Sequence, residues 1–176
     1  MRFEATGLPD AWAIIPEPVG DARGFFARTF CTRELGERGF EANFVQHSIS
    51  ASARKGTLRG MHFQKEPHGE VKIVTCLKGA ILDVIVDLRP ASGAFRRWQG
   101  FELTGENRHR LYIPKGFAHG FQALTDDVEV GYLISAFYEP TAASGVRHDD
   151  PAFGIAWPLP VTVMSDKDRA WPDFMC

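Results

Sequence analysis

Four short segments of this 176-residue chain carry side chains able to move protons or bind anions. In Thr57-Leu58-Arg59-Gly60-Met61-His62-Phe63-Gln64 an arginine and a histidine lie close together, and Lys72 opens the next apolar run. A guanidinium, an imidazole and an ammonium so near one another could form a local anion site with a titratable base in it. Each of them alone reads equally well as the polar end of a solvated strand. In Ile113-Pro114-Lys115-Gly116-Phe117-Ala118-His119-Gly120-Phe121-Gln122 a histidine follows a Pro-x-Gly turn. A lone His between Phe and Gly is more often a satisfied core or rim residue than a catalyst. The run Val128 to Tyr138 alternates, which places Tyr132, Ile134, Ala136 and Tyr138 on one face. If that face borders a pocket, Tyr132 offers a phenol and Tyr138 a stacking surface; otherwise both pack in the core with their hydroxyls bonded to backbone. Met164-Ser165-Asp166-Lys167-Asp168 could bring a carboxylate to orient a histidine, or be an ordinary charged turn.

The elements that must position these groups are strands. Val71 to Leu77 alternates with period two, Lys78-Gly79 turns, and Ala80 to Leu88 follows, which predicts a β-hairpin. Trp98 to Leu103 and Arg110 to Ile113 predict a second pair around Thr104-Gly105-Glu106-Asn107. Gly120 to Leu124 and Val128 to Ser135 predict a third across Thr125-Asp126-Asp127. Thr32 to Arg38 predicts a short helix, and the Pro- and Trp-rich C-terminal third an irregular path with one more helical turn. Short strands with no alternating helices predict an all-β class, a closed or sandwich-like barrel rather than a doubly wound sheet. Seventeen Gly, eleven Pro and fourteen Phe agree with many tight turns around an aromatic interior.

With 44% hydrophobic and 24% charged residues, the composition is that of one globular domain over residues 1–176. The net charge of −2 leaves no excess of positive charge for nucleic acid or an anionic membrane, so neither is expected as a partner. Cys31, Cys76 and Cys176 lie far apart with no C-x-x-C, against a disulfide framework or a zinc or redox site. No apolar stretch has the length of a leader's core or of a membrane span, and the expected location is the cytoplasm. The Pro114-x-Gly116-x-x-His119 spacing is similar to the second metal motif of cupin barrels. Metal-binding cupins pair it with His-x-His and a Glu, whereas this chain has His62-Phe63-Gln64, so no metal is expected and the pocket is read as doing proton chemistry unaided.

Taken together, the motifs resemble those of the dTDP-4-dehydrorhamnose 3,5-epimerase family. The likeness runs through Gly20-Asp21-Ala22-Arg23-Gly24-Phe25-Phe26, Phe44-Val45-Gln46, Leu58 to Gln64, Gly79 to Arg89, Glu106-Asn107, Ile113 to Phe121, and Asp149-Asp150-Pro151 to Trp157-Pro158. It implies a cupin-type jelly-roll β-barrel with one or two short helices, forming a homodimer and acting without metal or organic cofactor. The implied substrate is a nucleotide-linked 4-keto-6-deoxyhexose. By the resemblance His62 is the base that takes the C3 proton, and in full family members also the C5 proton. Lys72 stabilises the enolate, Asp168 holds the His62 imidazole, and Tyr132 is the acid that returns a proton from the opposite face. A base near pKa 6.5 and a phenol near pKa 10 suit those two roles at neutral pH. Arg23 and Arg59 match positions that contact the diphosphate or its neighbours, Arg23 across the dimer interface. Phe26 and Tyr138 match aromatic positions near the base or sugar, and Gln46, His119 and Lys167 match further substrate-binding positions.

The departures gather on the ligand side. Arg28 stands where the family usually has Glu, His47-Ser48-Ile49-Ser50 replaces the common Asp-Asn-His-Ser, Ala143 replaces another Glu, and the usual C-terminal extension is missing. Reversing a charge where the nucleotide is read opens the choice of nucleotide. The alternatives are a monofunctional 3-epimerase or related isomerase on a CDP- or GDP-linked keto-sugar, and a non-catalytic cupin that binds a sugar nucleotide.

Overall fold

The computed structural model describes residues 1–174, so Cys176 lies outside the described residues. The strands in chain order are β1 (Arg2–Ala5), β2 (Trp12–Ile15), β3 (Val19–Asp21), β4 (Gly24–Phe26), β5 (Gln46–Ser52), β6 (Leu58–Gln64), β7 (Lys72–Lys78), β8 (Ala80–Asp87), β9 (Trp98–Thr104), β10 (Arg110–Ile113), β11 (Phe117–Ala123), β12 (Val128–Ile134) and β13 (Ala143–Gly145). Two short helices, α1 (Thr32–Gly36) and α2 (Asp166–Arg169), fall where the sequence predicts them, α1 ending two residues early. The strands form a six-stranded sheet, β1-β2-β10-β7-β12-β5, and a five-stranded sheet, β13-β6-β11-β8-β9, with β3-β4 as a separate hairpin. This is the all-β jelly roll the resemblance implies. Among the described residues no helix is long and apolar enough to cross a membrane.

Strands β7 to β12 fall where the sequence predicts strands, but not with the predicted partners. β7 pairs with β10 and β12, whereas β8 pairs with β11 and β9 in the other sheet. The same holds for β9 with β10 and for β11 with β12, so none of the three predicted hairpins exists. Each turn instead carries the chain from one sheet to the other, and the three crossings brace one another. The Gly105 N–H donates to the Gly79 carbonyl, Leu124 N–H to the Ala80 carbonyl, and Ala80 N–H to Thr125 Oγ1. Gly79, at φ +77°, allows this because a Cβ there would lie 2.6 Å from Thr125 Oγ1.

The central strands β7, β8 and β11 are buried nearly throughout, which is why they read as apolar runs broken by single polar residues, whereas the edge strands β1 and β5 are largely exposed. Val74, Cys76, Ile85, Leu111, Phe121 and Val130 pack between the sheets. Ile14, Leu35, Ile73 and Tyr112 pack on the outside of the larger sheet, with Phe40 stacked on Tyr112 at 4.9 Å. Burial in this apolar interior pushes the Cys76 thiol up to about 11, so this cysteine is an inert core residue.

Candidate active site

On the side of the sandwich where β5 edges one sheet and β6 with β13 edges the other, the interior opens into a cavity of about 690 Å³. Gln46, Arg59, His62, Lys72, His119, Tyr132, Tyr138, Lys167 and Asp168 all line it. Period-two alternation explains the gathering. Lys72 points the same way as Val74 and Cys76, Tyr132 as Val130, and His119 as Phe121, so residues that continue the core stripe become the pocket wall.

His62 and His119 are cross-strand partners between β6 and β11, and next to them the register slips. Three steps along β6, from Arg59 to His62, face two along β11, from Phe121 to His119. This bulge at Gly60 re-aims the end of β6 toward the cavity. Two glycines permit it: Gly60 has φ +139°, and a Cβ on it would meet the Gly120 Cα at 2.5 Å. A Cβ on Gly120 would sit 2.6 Å from Met61 Sδ and 2.7 Å from the Arg59 carbonyl oxygen. Gly120→Ala is therefore expected to cost about 1–3 kcal/mol, read as a lower urea midpoint with unchanged slope. A wild-type midpoint would show that the two strands separate freely.

His62 Nε2 lies 2.6 Å from Asp168 Oδ1, and Asp168 Oδ2 accepts the Gly60 N–H at 3.3 Å. Ser165 caps α2 by accepting the Asp168 N–H at 3.1 Å, which sets the carboxylate against β6. Burial works to raise the Asp168 carboxyl, but the hydrogen bond and charge of His62, then Gly60 and Ser165, outweigh it and hold it below the ordinary value. An ionised carboxylate only accepts, so Nε2 carries the ring proton and Nδ1 is left as the basic nitrogen.

Tyr132 shares a hydrogen bond with Ser50 at 3.1 Å and meets the His119 ring edge-on at 6.2 Å. Burial pushes its phenol far above the usual range; the Ser50 bond opposes this, the Asp83 charge adds to it, and Arg59 opposes it. The phenol is thus a protonated donor at neutral pH. His119 is itself buried, with Nε2 at 2.8 Å from Asp83 Oδ2. Complete burial raises the Asp83 carboxyl against the pull of His119 and Lys72, and Oδ1 has no hydrogen-bond partner among the described residues. Lys72 forms an ion pair with Glu70 at 2.8 Å.

Arg59 is anchored through Nε to Ser52 Oγ at 3.1 Å and through Nη2 to the Ala51 carbonyl at 2.6 Å. Gln46 Oε1 accepts the Tyr138 N–H at 2.9 Å, and Lys167 lies over the Trp171 ring at 5.4 Å. Two expected residues stand apart from the cavity of their own chain. Arg23 is paired with Asp21 and its side chain is 90% exposed, and Phe26 is 76% exposed, both on the β3-β4 hairpin. Arg28 is also outside the cavity, bound to Glu34 at 3.0 Å, whereas the altered Ser48, Ile49, Ser50 and Ala143 line it.

Sequence reasoning passed over Asp83, Glu70 and Trp171 and named Ser50 only as a departure from the family. Asp83 had a signal, a lone carboxylate on the inward phase of the apolar run Ile81 to Val86. Glu70 had one too, two residues before Lys72 and so in phase with it along an extended chain, and so did Ser50, in the segment that departs from the family; Trp171 had none, since only the fold brings it to the cavity. Among the described residues no group of three or more His, Cys, Asp or Glu converges as a metal-ligand set.

The profile of a protein family described as dTDP-4-dehydrorhamnose 3,5-epimerase matches residues 5–175. A dTDP-4-dehydrorhamnose 3,5-epimerase of Methanothermobacter thermautotrophicus is 46% identical over 97% of this chain and 93% of its own length. A dTDP-4-dehydrorhamnose 3-epimerase of Streptomyces niveus is 36% identical over 96% of this chain and 82% of its own. The crystal structure of dTDP-4-dehydrorhamnose 3,5-epimerase from Bacillus anthracis, with TDP and PPi bound, superposes with a TM-score of 0.95 at 40% identity, covering 98% of this chain and 99% of that one.

Proposed function

The chain belongs to the dTDP-4-dehydrorhamnose 3,5-epimerase family of carbohydrate isomerases, and from that premise we propose that it inverts C3 and C5 of a dTDP-linked 4-keto-6-deoxyhexose on the way to a rhamnose-type sugar. The observation that carries the reading is the pairing of His62 with Asp168 in the same cavity as the protonated phenol of Tyr132. His62 Nδ1 takes the proton from C3, next to the C4 ketone. The electron pair of the broken C–H bond passes onto the C4 oxygen as an enolate, and the Lys72 ammonium stabilises that charge. Tyr132 then gives its hydroxyl proton to C3 from the other face as the enolate pair returns to C3 and the C4 ketone re-forms, which inverts the centre; the phenolate recovers a proton from solvent and the His62 imidazolium releases one to it. The same cycle at C5 requires the sugar to present its second acidic proton to His62. Arg59 is suited to hold the diphosphate, being anchored on one edge and lining the cavity.

The reading includes a homodimer in which the β3-β4 hairpin of one chain carries Arg23 and Phe26 to the cavity of its partner. Supporting it, Val19, Phe25 and Phe26 are all more than half exposed on that hairpin, an apolar surface that a lone chain leaves in water. The chemical test is proton NMR of dTDP-4-keto-6-deoxyglucose in deuterated water. Loss of both the C3 and C5 signals is the expected result, and a substrate that keeps both signals with the folded enzyme would overturn the reading. Loss at C3 alone would favour the 3-epimerase alternative, to which Ala143 and the altered β5 lining lend weight, as does the Streptomyces niveus relative. Tyr132→Phe is expected to retain C3 exchange while forming inverted product about 100-fold more slowly. Equal loss of exchange and inversion would mean that Tyr132 does not act after deprotonation.

A further inference from the structure

Lys72 is a long, flexible side chain with a point charge at its end, and stabilising an enolate requires that charge to be in place before it is needed. The residue that fixes it is Glu70, just before β7. Its Oε1 lies 2.8 Å from Lys72 Nζ, and both side chains are 11% exposed. A carboxylate so far out of water is costly unless both oxygens are engaged, and here the second is. Gln64 Nε2 lies 3.2 Å from Glu70 Oε2.

Gln64 is itself immobilised. Its Nε2 is also within reach of the His68 carbonyl at 3.0 Å and the Phe137 carbonyl at 3.2 Å, and its Oε1 accepts the Glu139 N–H at 2.7 Å. The carboxylate is thus pinned from behind by an amide that also clamps the segment carrying Tyr138. Across the cavity Asp83 also senses Lys72, and it is committed to His119. Glu70 takes one of the three ammonium protons and leaves two for a ligand.

We propose that Glu70 is the positioning residue for Lys72, holding its ammonium in the cavity wall with Gln64 as second anchor, so that it meets the C4 oxygen of the substrate without rearrangement. The proposal rests on the reading of Lys72 given above. Its test is a double-mutant cycle of Glu70→Gln and Lys72→Met, with kcat and KM measured on dTDP-4-keto-6-deoxyglucose and folding checked by thermal unfolding. Glu70→Gln keeps the shape and removes the charge, and is expected to lower kcat about 10- to 100-fold with KM within about twofold. In the Lys72→Met background the same change is expected to cost nothing further. If Glu70→Gln fails to fold, Glu70→Asp, which keeps the charge but shortens the reach, takes its place in the cycle. A wild-type kcat in the Glu70 variant, or an equal loss in both backgrounds, would overturn the proposal alone. Wild-type turnover by Lys72→Met would overturn the reading of Lys72 and the proposal with it.

Discussion

Replacing His62 by alanine is expected to abolish washout of the C3 proton into deuterated water and to lower kcat by about 10²–10⁴-fold, with KM little changed. The reason is geometric. Nδ1 of His62 is the basic nitrogen that the Asp168 contact leaves free, and the bulge at Gly60 turns this end of β6 to the cavity. The neighbouring imidazole of His119 is no substitute, because it is buried and its Nε2 is bonded to Asp83. The decisive readout is exchange, which requires the C3 proton to be removed but does not require the centre to be inverted. Continued C3 exchange at the wild-type rate in His62→Ala would place the base elsewhere.

Asp168→Asn is expected to lower kcat by a similar factor while leaving binding nearly intact. An amide can turn its NH₂ toward Nε2, which then has to accept, moving the ring proton to Nδ1 and blocking the base. The substitution also has a signature in stability. The folded-state carboxyl of Asp168 is held below its ordinary value of about 3.9. A lowered carboxyl contributes stability that is fully present above the unfolded value and is lost as pH falls through the folded one. Below pH 4 the wild-type urea midpoint therefore falls more steeply than that of Asp168→Asn, and the two curves converge in acid. Parallel curves would mean that the His62 contact does not bias the ionisation of Asp168.

How much of this was legible in the sequence depends on the range of the interaction. The alternation of Val71 to Leu77 and Val128 to Ser135 located β7 and β12 to within a residue or so, because pleating forces neighbouring side chains to opposite faces. The same runs misled about pairing. Lys78-Gly79 looks like a hairpin turn, and a two-residue connection serves equally to cross between sheets. What decides is whether the second run finds better partners opposite, and β8 finds β9, the next strand, on one side and the more distant β11 on the other.

The site divides along the same line. The residue types able to take, give or offset a proton, His62, Tyr132, Lys72 and Asp168, stand in the sequence, and their motifs led to the family. Arg28, whose charge reversal is plain in the sequence, is bound to Glu34 and lies outside the cavity of its own chain, just after the β3-β4 hairpin. The sequence by itself determined the strand-rich class and the phase of its alternating runs, since these follow from local sterics, and its motifs supplied the candidate proton-transfer groups through the family resemblance. Only the tertiary structure decided which strands pair, that Asp168 reaches His62 across more than a hundred residues, and that Glu70 and Gln64 stand behind Lys72. The Asp168 contact arises from packing between distant segments, where no local pattern records the partner, whereas Glu70 and Lys72 are near neighbours in the chain and the turn before β7 brings Gln64 back against them.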